Sequence, residues 1–175
     1  MVFSSAVFLF LFLPIVFVLS RIVPGIRGKN LLLLLASLLF YAFGEPVYVL
    51  LMVFSILLNY AAGRLLGASP KELHPVRDKL VVAGAVALNL GMLGVFKYTD
   101  FFLSSVNQVL SLEIPLTGIA LPVGISFFTF QGLSYVIDVY REREQMSRSL
   151  LKLALYISFF PQLIAGPIVK YHDVA

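Results

Sequence analysis

Gln131, Ser134, Asp138 and Arg141 are separated by three, four and three residues, so a helix carries all four on one face. Tyr135 lies beside that stripe, and most of the residues around it are apolar. A polar stripe on a membrane helix faces a bundle interior or a water-filled cavity, because facing hydrocarbon is costly. Two readings follow. In the structural one, Asp138 pairs with Arg141 near a membrane interface and Gln131 cross-links two helices. In the functional one, these residues line a substrate passage.

A second dense stretch runs from Phe159 to His172 and contains Pro161, Gln162, Gly166 and Pro167. Two prolines and a glycine free several backbone groups from a helical ladder, and buried backbone groups need partners. This predicts a broken or re-entrant helix that packs against protein or a cavity, with Gln162 at the break. His172 stands beside Asp173, the arrangement of a base held by a carboxylate. Adjacent residues do not face each other easily, and an interfacial histidine after the last span accounts for it as well.

Other chemistry is sparse. The sequence has no Gly-rich phosphate loop, no nucleophile elbow and no zinc-spaced histidine pair, so no catalytic residue and no metal site is assigned. His74-Pro-Val-Arg-Asp78 is one residue short of a His-x4-Asp motif, which makes His74 an exposed loop residue. Cysteine is absent, which excludes disulfides and thiolate chemistry. Asn59 and Asn89 are single polar residues in apolar runs, suited to hydrogen bonding between helices. Ala83, Ala87 and Gly91 form a small-residue ridge suited to close helix packing.

The elements that must hold these residues are long apolar runs. Of 175 positions 60% are hydrophobic and 13% charged, with a mean hydropathy of +0.98. Soluble domains carry about 25% charged and 45–50% apolar residues, so the solvent here is lipid. Met1–Ser20 holds no charge, lacks a basic segment before it and lacks a small-residue cleavage site. It is expected to be a retained helix with its N-terminus outside. Leu31–Phe43 and Val47–Gly63 follow, joined by a tight turn at Glu45-Pro46, and Leu80–Phe96 is the fourth run. Thr99–Ser111 alternates apolar and polar residues at helical spacing, which predicts a separate amphipathic helix on the membrane surface, N-capped by Thr99 or Asp100. A fifth span is expected from Pro122 to about Tyr140, and Leu153–Val169 is the last run.

The net charge of +4 and pI near 9.4 do not imply nucleic acid, because the basic residues lie in short connectors. With the N-terminus outside, the inner connectors are 21–30, 64–79 and 141–152. They hold Arg21, Arg27, Lys29, Arg64, Lys71, Arg77, Lys79, Arg141, Arg143, Arg148 and Lys152, leaving Lys97 and Lys170 outside. That is the positive-inside pattern for six crossings. The fold class is an all-α polytopic membrane protein with about six transmembrane or re-entrant helices, and residues 1–175 show no separate soluble domain. The lipid bilayer is the first partner.

Four stretches closely resemble the membrane-bound O-acyltransferase family: Tyr41-Ala-Phe-Gly-Glu-Pro46, Lys97-Tyr-Thr-Asp-Phe-Phe102, Pro122-Val-Gly-Ile-Ser-Phe-Phe-Thr-Phe-Gln131 and Phe160-Pro-Gln-Leu-Ile-Ala-Gly-Pro-Ile-Val169. The nearest branch is the alginate O-acetyltransferases, with teichoic-acid D-alanyl transferases more distant. The resemblance spans almost the whole chain, in the same order, and corresponds to roughly the first third of a family member. It implies a ring of helices around a central funnel in a bacterial inner membrane. An acyl group from acetyl-CoA or an acyl carrier inside is moved to a hydroxyl of an exported polysaccharide outside, with no bound cofactor. It also implies further C-terminal helices and partner proteins of polysaccharide acetylation. The family's histidine lies in a Trp-His-Gly motif; this chain has no tryptophan and neither His74 nor His172 matches. The expectation is therefore an N-terminal piece, inactive alone, in which Gln131, Tyr135, Asp138, Arg141 and Gln162 line or support the passage. The competing expectation is a transport or scaffold component of an export complex, which a polar stripe and a broken helix also suit.

Overall fold

The computed structural model describes residues 5–44, 46–68, 70, 73–111, 113–118, 121–165 and 171, with the backbone alone described for 163–165. Among them the chain is all helical. A π-turn at Phe8–Phe12 leads into α1 (Leu13–Ile22), followed by α2 (Ile26–Gly44) and α3 (Val49–Gly67). Then come α4 (Pro75–Leu110), α5 (Ile125–Arg141), α6 (Leu150–Ser158) and α7 (Phe160–Ala165). The π-turn has a local cause. Pro14 has no N–H to continue the ladder, and the Leu13 N–H reaches back to the Phe8 carbonyl instead.

Three helices, α2, α3 and α4, are long and apolar enough to cross a membrane by length and composition. Phe8–Ile22 and Leu150–Gln162 are shorter apolar stretches, and α5 has 17 residues. Large apolar side chains lie open on the outside of the bundle, such as Phe10 and Leu50, as expected of a lipid-facing surface.

Helices α3, α4 and α5 form the centre. Tyr48 meets Phe96, Asn59 meets Asn89, and the Leu65 carbonyl accepts from Arg77, so α3 and α4 run antiparallel. Gly132 packs against Asn59 and Gly63 against Tyr135, so α3 and α5 run parallel. Both contacts need glycine: a Cβ on Gly63 would stand 2.5 Å from the Tyr135 hydroxyl, and one on Gly132 would overlap the Asn59 amide. Met52, Leu66, Phe128, Val136, Val139 and Leu153 fill the core between them.

Three sequence expectations are corrected. Thr99–Ser111 is not a separate interfacial helix but the last part of the 36-residue α4. At 1.5 Å per residue α4 is roughly 54 Å long, well beyond a hydrocarbon core of about 30 Å. The polar residues of that part hold the returning chain. Asp100 accepts from the Thr117 N–H (2.8 Å), the Thr117 hydroxyl (2.5 Å) and the Gly118 N–H (3.1 Å). Asn107 exchanges two hydrogen bonds with the Ile114 backbone (2.8 and 3.0 Å). The helix stops at Ser111, whose φ of 51° is left-handed.

Second, α5 starts at Ile125 rather than Pro122. Gly124 precedes it with φ 75°, and Pro122 closes the turn by accepting the Ile125 N–H at 3.2 Å. Third, the ridge Ala83, Ala87 and Gly91 is exposed; α4 packs inward through Ala85, Asn89 and Leu93. The expected break near Pro161 is present. Helix α6 ends at Ser158, Phe159 interrupts the ladder, and α7 begins at Phe160 with Pro161 in its first turn. The Phe160 N–H is caught by the buried Ser37 hydroxyl of α2 at 3.3 Å. The phenylalanines Phe8, Phe12, Phe40 and Phe160 pack ring on ring around that junction.

Candidate functional site

The polar stripe of α5 climbs out of the core. Gln131 is buried, Ser134 and Asp138 are half-buried and Arg141 is exposed. Asn59 and Asn89 do cross-link their helices, with reciprocal amide bonds of 3.2 and 3.1 Å and further bonds to the Ser55 and Ala85 carbonyls (2.8 Å each). Gln131 does not act in this way: among the described residues neither end of its buried amide has a hydrogen-bond partner, and the Thr129 hydroxyl two residues earlier has none either. One Asp138 oxygen is likewise buried without one. Buried amides and carboxylates ordinarily find partners, and these unpartnered atoms on one helix make the α5 stripe a candidate site.

Tyr135 is fully buried and anchors the loop that follows α5. Its hydroxyl accepts the Ser147 N–H at 3.1 Å, and the Ser147 hydroxyl accepts from Tyr171 at 2.7 Å. The Tyr171 ring sits edge-on to Tyr135 and Tyr156, with centroids 5.2 Å apart in each case. At this end of the bundle Asp78 is bound by Arg77 at 3.0 Å and by Arg143. Asp78 is buried at the start of α4, and its sequence context, a charged connector, gave no sign of burial.

Arg143 links the 142–149 loop to α4, Met146 covers Gly67 of α3, and Arg148 accepts from Tyr60 through its carbonyl. The basic connectors 64–79 and 141–152 therefore meet at one end of the bundle. The start of α2 joins them there. A cavity of about 420 Å³ between α2 and α6 is walled by Ile26, Asn30 and Leu33 on one side and by Lys152, Leu155 and Phe159 on the other. Gln162 and Tyr171 also line it, whereas Gln131, Tyr135, Asp138 and Arg141 do not. The five predicted passage residues are thus split between the α5 stripe and this cavity. His74 is exposed, and His172 and Asp173 lie outside the described residues.

No family model matches the chain, and no solved structure matches it. Among curated proteins it is 41% identical over 178 residues to the "probable alginate O-acetylase AlgI" of Pseudomonas aeruginosa, covering 99% of the chain and 34% of that protein. To the protein of the same name from Pseudomonas putida it is 42% identical over 178 residues, covering 99% of the chain and 36% of the relative. The peptidoglycan O-acetyltransferase of Helicobacter pylori is 34% identical over 202 residues, covering 99% and 38%. The chain spans about a third of the length of the curated relatives it matches. Over its whole length this helical membrane chain groups with the alginate O-acetylases and the peptidoglycan O-acetyltransferase, the acyltransferase branch that its motifs resemble.

Proposed function

We propose that the chain is the N-terminal portion of an inner-membrane O-acetyltransferase that acetylates hydroxyls of an exported polysaccharide such as alginate. The observation that carries this reading is the identity of 39–42% along the whole chain to proteins named for that reaction. In this account the chain crosses the membrane six times with its N-terminus outside, and the end that gathers the basic connectors faces the cytoplasm. Further helices of the complete protein close a ring and bring the histidine of the Trp-His-Gly motif, which these residues do not contain. This chain alone is inactive.

The acyl donor, acetyl-CoA or an acyl carrier, approaches from the cytoplasmic end, and partner proteins of acetylation receive the group outside. The chain's own residues shape the passage. Gln131 and Asp138 present unfilled hydrogen-bonding capacity from α5. Arg141 stands at the cytoplasmic end of the same face, and Tyr135 fixes the loop beneath it. Gln162 contributes from the separate wall on α7.

The test is alanine replacement of Asp138 and of Gln162 in the complete gene product, with protein level and polysaccharide acetyl ester measured together. Reduced ester at unchanged protein level is the expected result. Normal ester in both variants removes these residues from the passage.

A further inference from the structure

The cavity between α2 and α6 does not stand alone. A second cavity of about 260 Å³ lies beside the 142–149 loop, lined by Ser147, Arg148 and Ser149 among others, and Lys152 and Tyr171 line both. The two differ in chemistry. The smaller offers hydroxyls and two cations, with Glu144 as the one carboxylate on its wall. The larger offers Leu33, Leu155 and Phe159, with polar groups confined to a few positions. A polar chamber and an apolar crevice that share a lysine fit a ligand with an anionic head and a hydrocarbon tail.

We propose that this pair of cavities is a binding site for an anionic phospholipid of the inner leaflet, its phosphate between Arg148 and Lys152 and one acyl chain in the α2/α6 crevice. Charge supports the choice. The ion pairs on Asp78 take up Arg77 and Arg143 and leave Arg148 and Lys152 aside, and Arg27 and Lys29 add positive charge at the foot of α2. Basic pockets between membrane helices on the cytoplasmic side are the usual seats of anionic headgroups. Shape supports it too: a crevice of about 420 Å³ is in the range that encloses a drug-sized ligand, far more than a two-carbon acyl group fills. The site depends on the membrane orientation above but not on the acetyl transfer, so lipid binding and activity are read separately.

The complete gene product, purified in detergent and exchanged into micelles containing equal phosphatidylglycerol and phosphatidylcholine, is examined by native mass spectrometry for retained lipid. Phosphatidylglycerol is expected to be retained in preference. Lys152→Ala lowers that retention several-fold and Lys152→Arg restores it. Leu155→Trp, which fills the crevice and leaves both cations, also lowers it, with thermal melting confirming that each variant is folded. Equal retention of the two lipids, or no retained lipid because another segment covers the crevice, overturns the proposal. So does loss in Lys152→Ala without loss in Leu155→Trp, which signals surface charge alone. Displacement of the lipid by coenzyme A assigns the phosphate pocket to a soluble donor and overturns it as well.

Discussion

Arg143 binds the Asp78 carboxylate across 65 positions of the chain, and so ties the loop after α5 to the first turn of α4. Asp78 is 1% exposed and Arg143 15%, which makes this a largely desolvated pair with Arg77 as a second, more exposed partner. Removing one member of such a pair leaves a stranded charge and costs about 3–5 kcal/mol. Asp78→Ala is therefore expected to lower the melting temperature in detergent markedly, and Asp78→Asn, which keeps hydrogen-bond acceptors, to lower it less. Equal melting of Asp78→Ala and the native protein would refute the latch.

Asn59 and Asn89 offer a quantitative check on the packing of α3 against α4. Each amide would be left without its cross-helix partner in the single alanine variant. A double-mutant cycle is expected to return a coupling of roughly 0.6–2 kcal/mol, the range found for hydrogen bonds between membrane helices. A coupling of zero would mean that the two amides do not meet.

Glycines separate packed faces from open ones. Gly63→Ala sets a methyl group against the fully buried Tyr135 ring and is expected to destabilise by about 1–3 kcal/mol. Gly91→Ala meets nothing within 4 Å and is expected to be neutral or slightly stabilising, because alanine favours helix by about 1 kcal/mol over glycine. Thermal melting of the two variants side by side decides it.

These contacts show where the sequence was legible. Charge-free runs bounded by basic connectors locate the helices, and isolated Asn59 and Asn89 announce their bond because an amide in hydrocarbon has few other uses. The break before Pro161 follows from the missing N–H. Thr99–Ser111 misled because Asp100 and Asn107 look like a water-facing side, yet they spend their hydrogen bonds on residues 114–118, a contact that spacing along one helix does not encode. Asp78 was overlooked for the same reason, since its partner lies on a distant loop. The exposed ridge of Ala83, Ala87 and Gly91 shows that small residues permit close packing without compelling it. The proposed acyl transfer was legible only through family resemblance, because these residues hold no recognisable catalytic motif.

Orientation is open to direct labelling: residues 1–175 contain no cysteine, and any cysteine elsewhere in the complete gene product is first replaced by serine. A cysteine at Ala68, exposed at the end with the basic connectors, is expected to resist a membrane-impermeant maleimide in intact cells. A cysteine at Ser111, exposed at the far end of α4, is expected to react. The reverse pattern would invert the topology and with it the proposed direction of acyl delivery.

The acetyl-transfer account is tested most directly by the ester content of the exported polysaccharide when the complete gene is deleted and then restored. The account predicts loss of acetyl ester on deletion and full recovery with the native gene. It also predicts little recovery with a Gln131→Leu variant that accumulates to the same level in the membrane. Undiminished ester in the deletion strain would contradict the account.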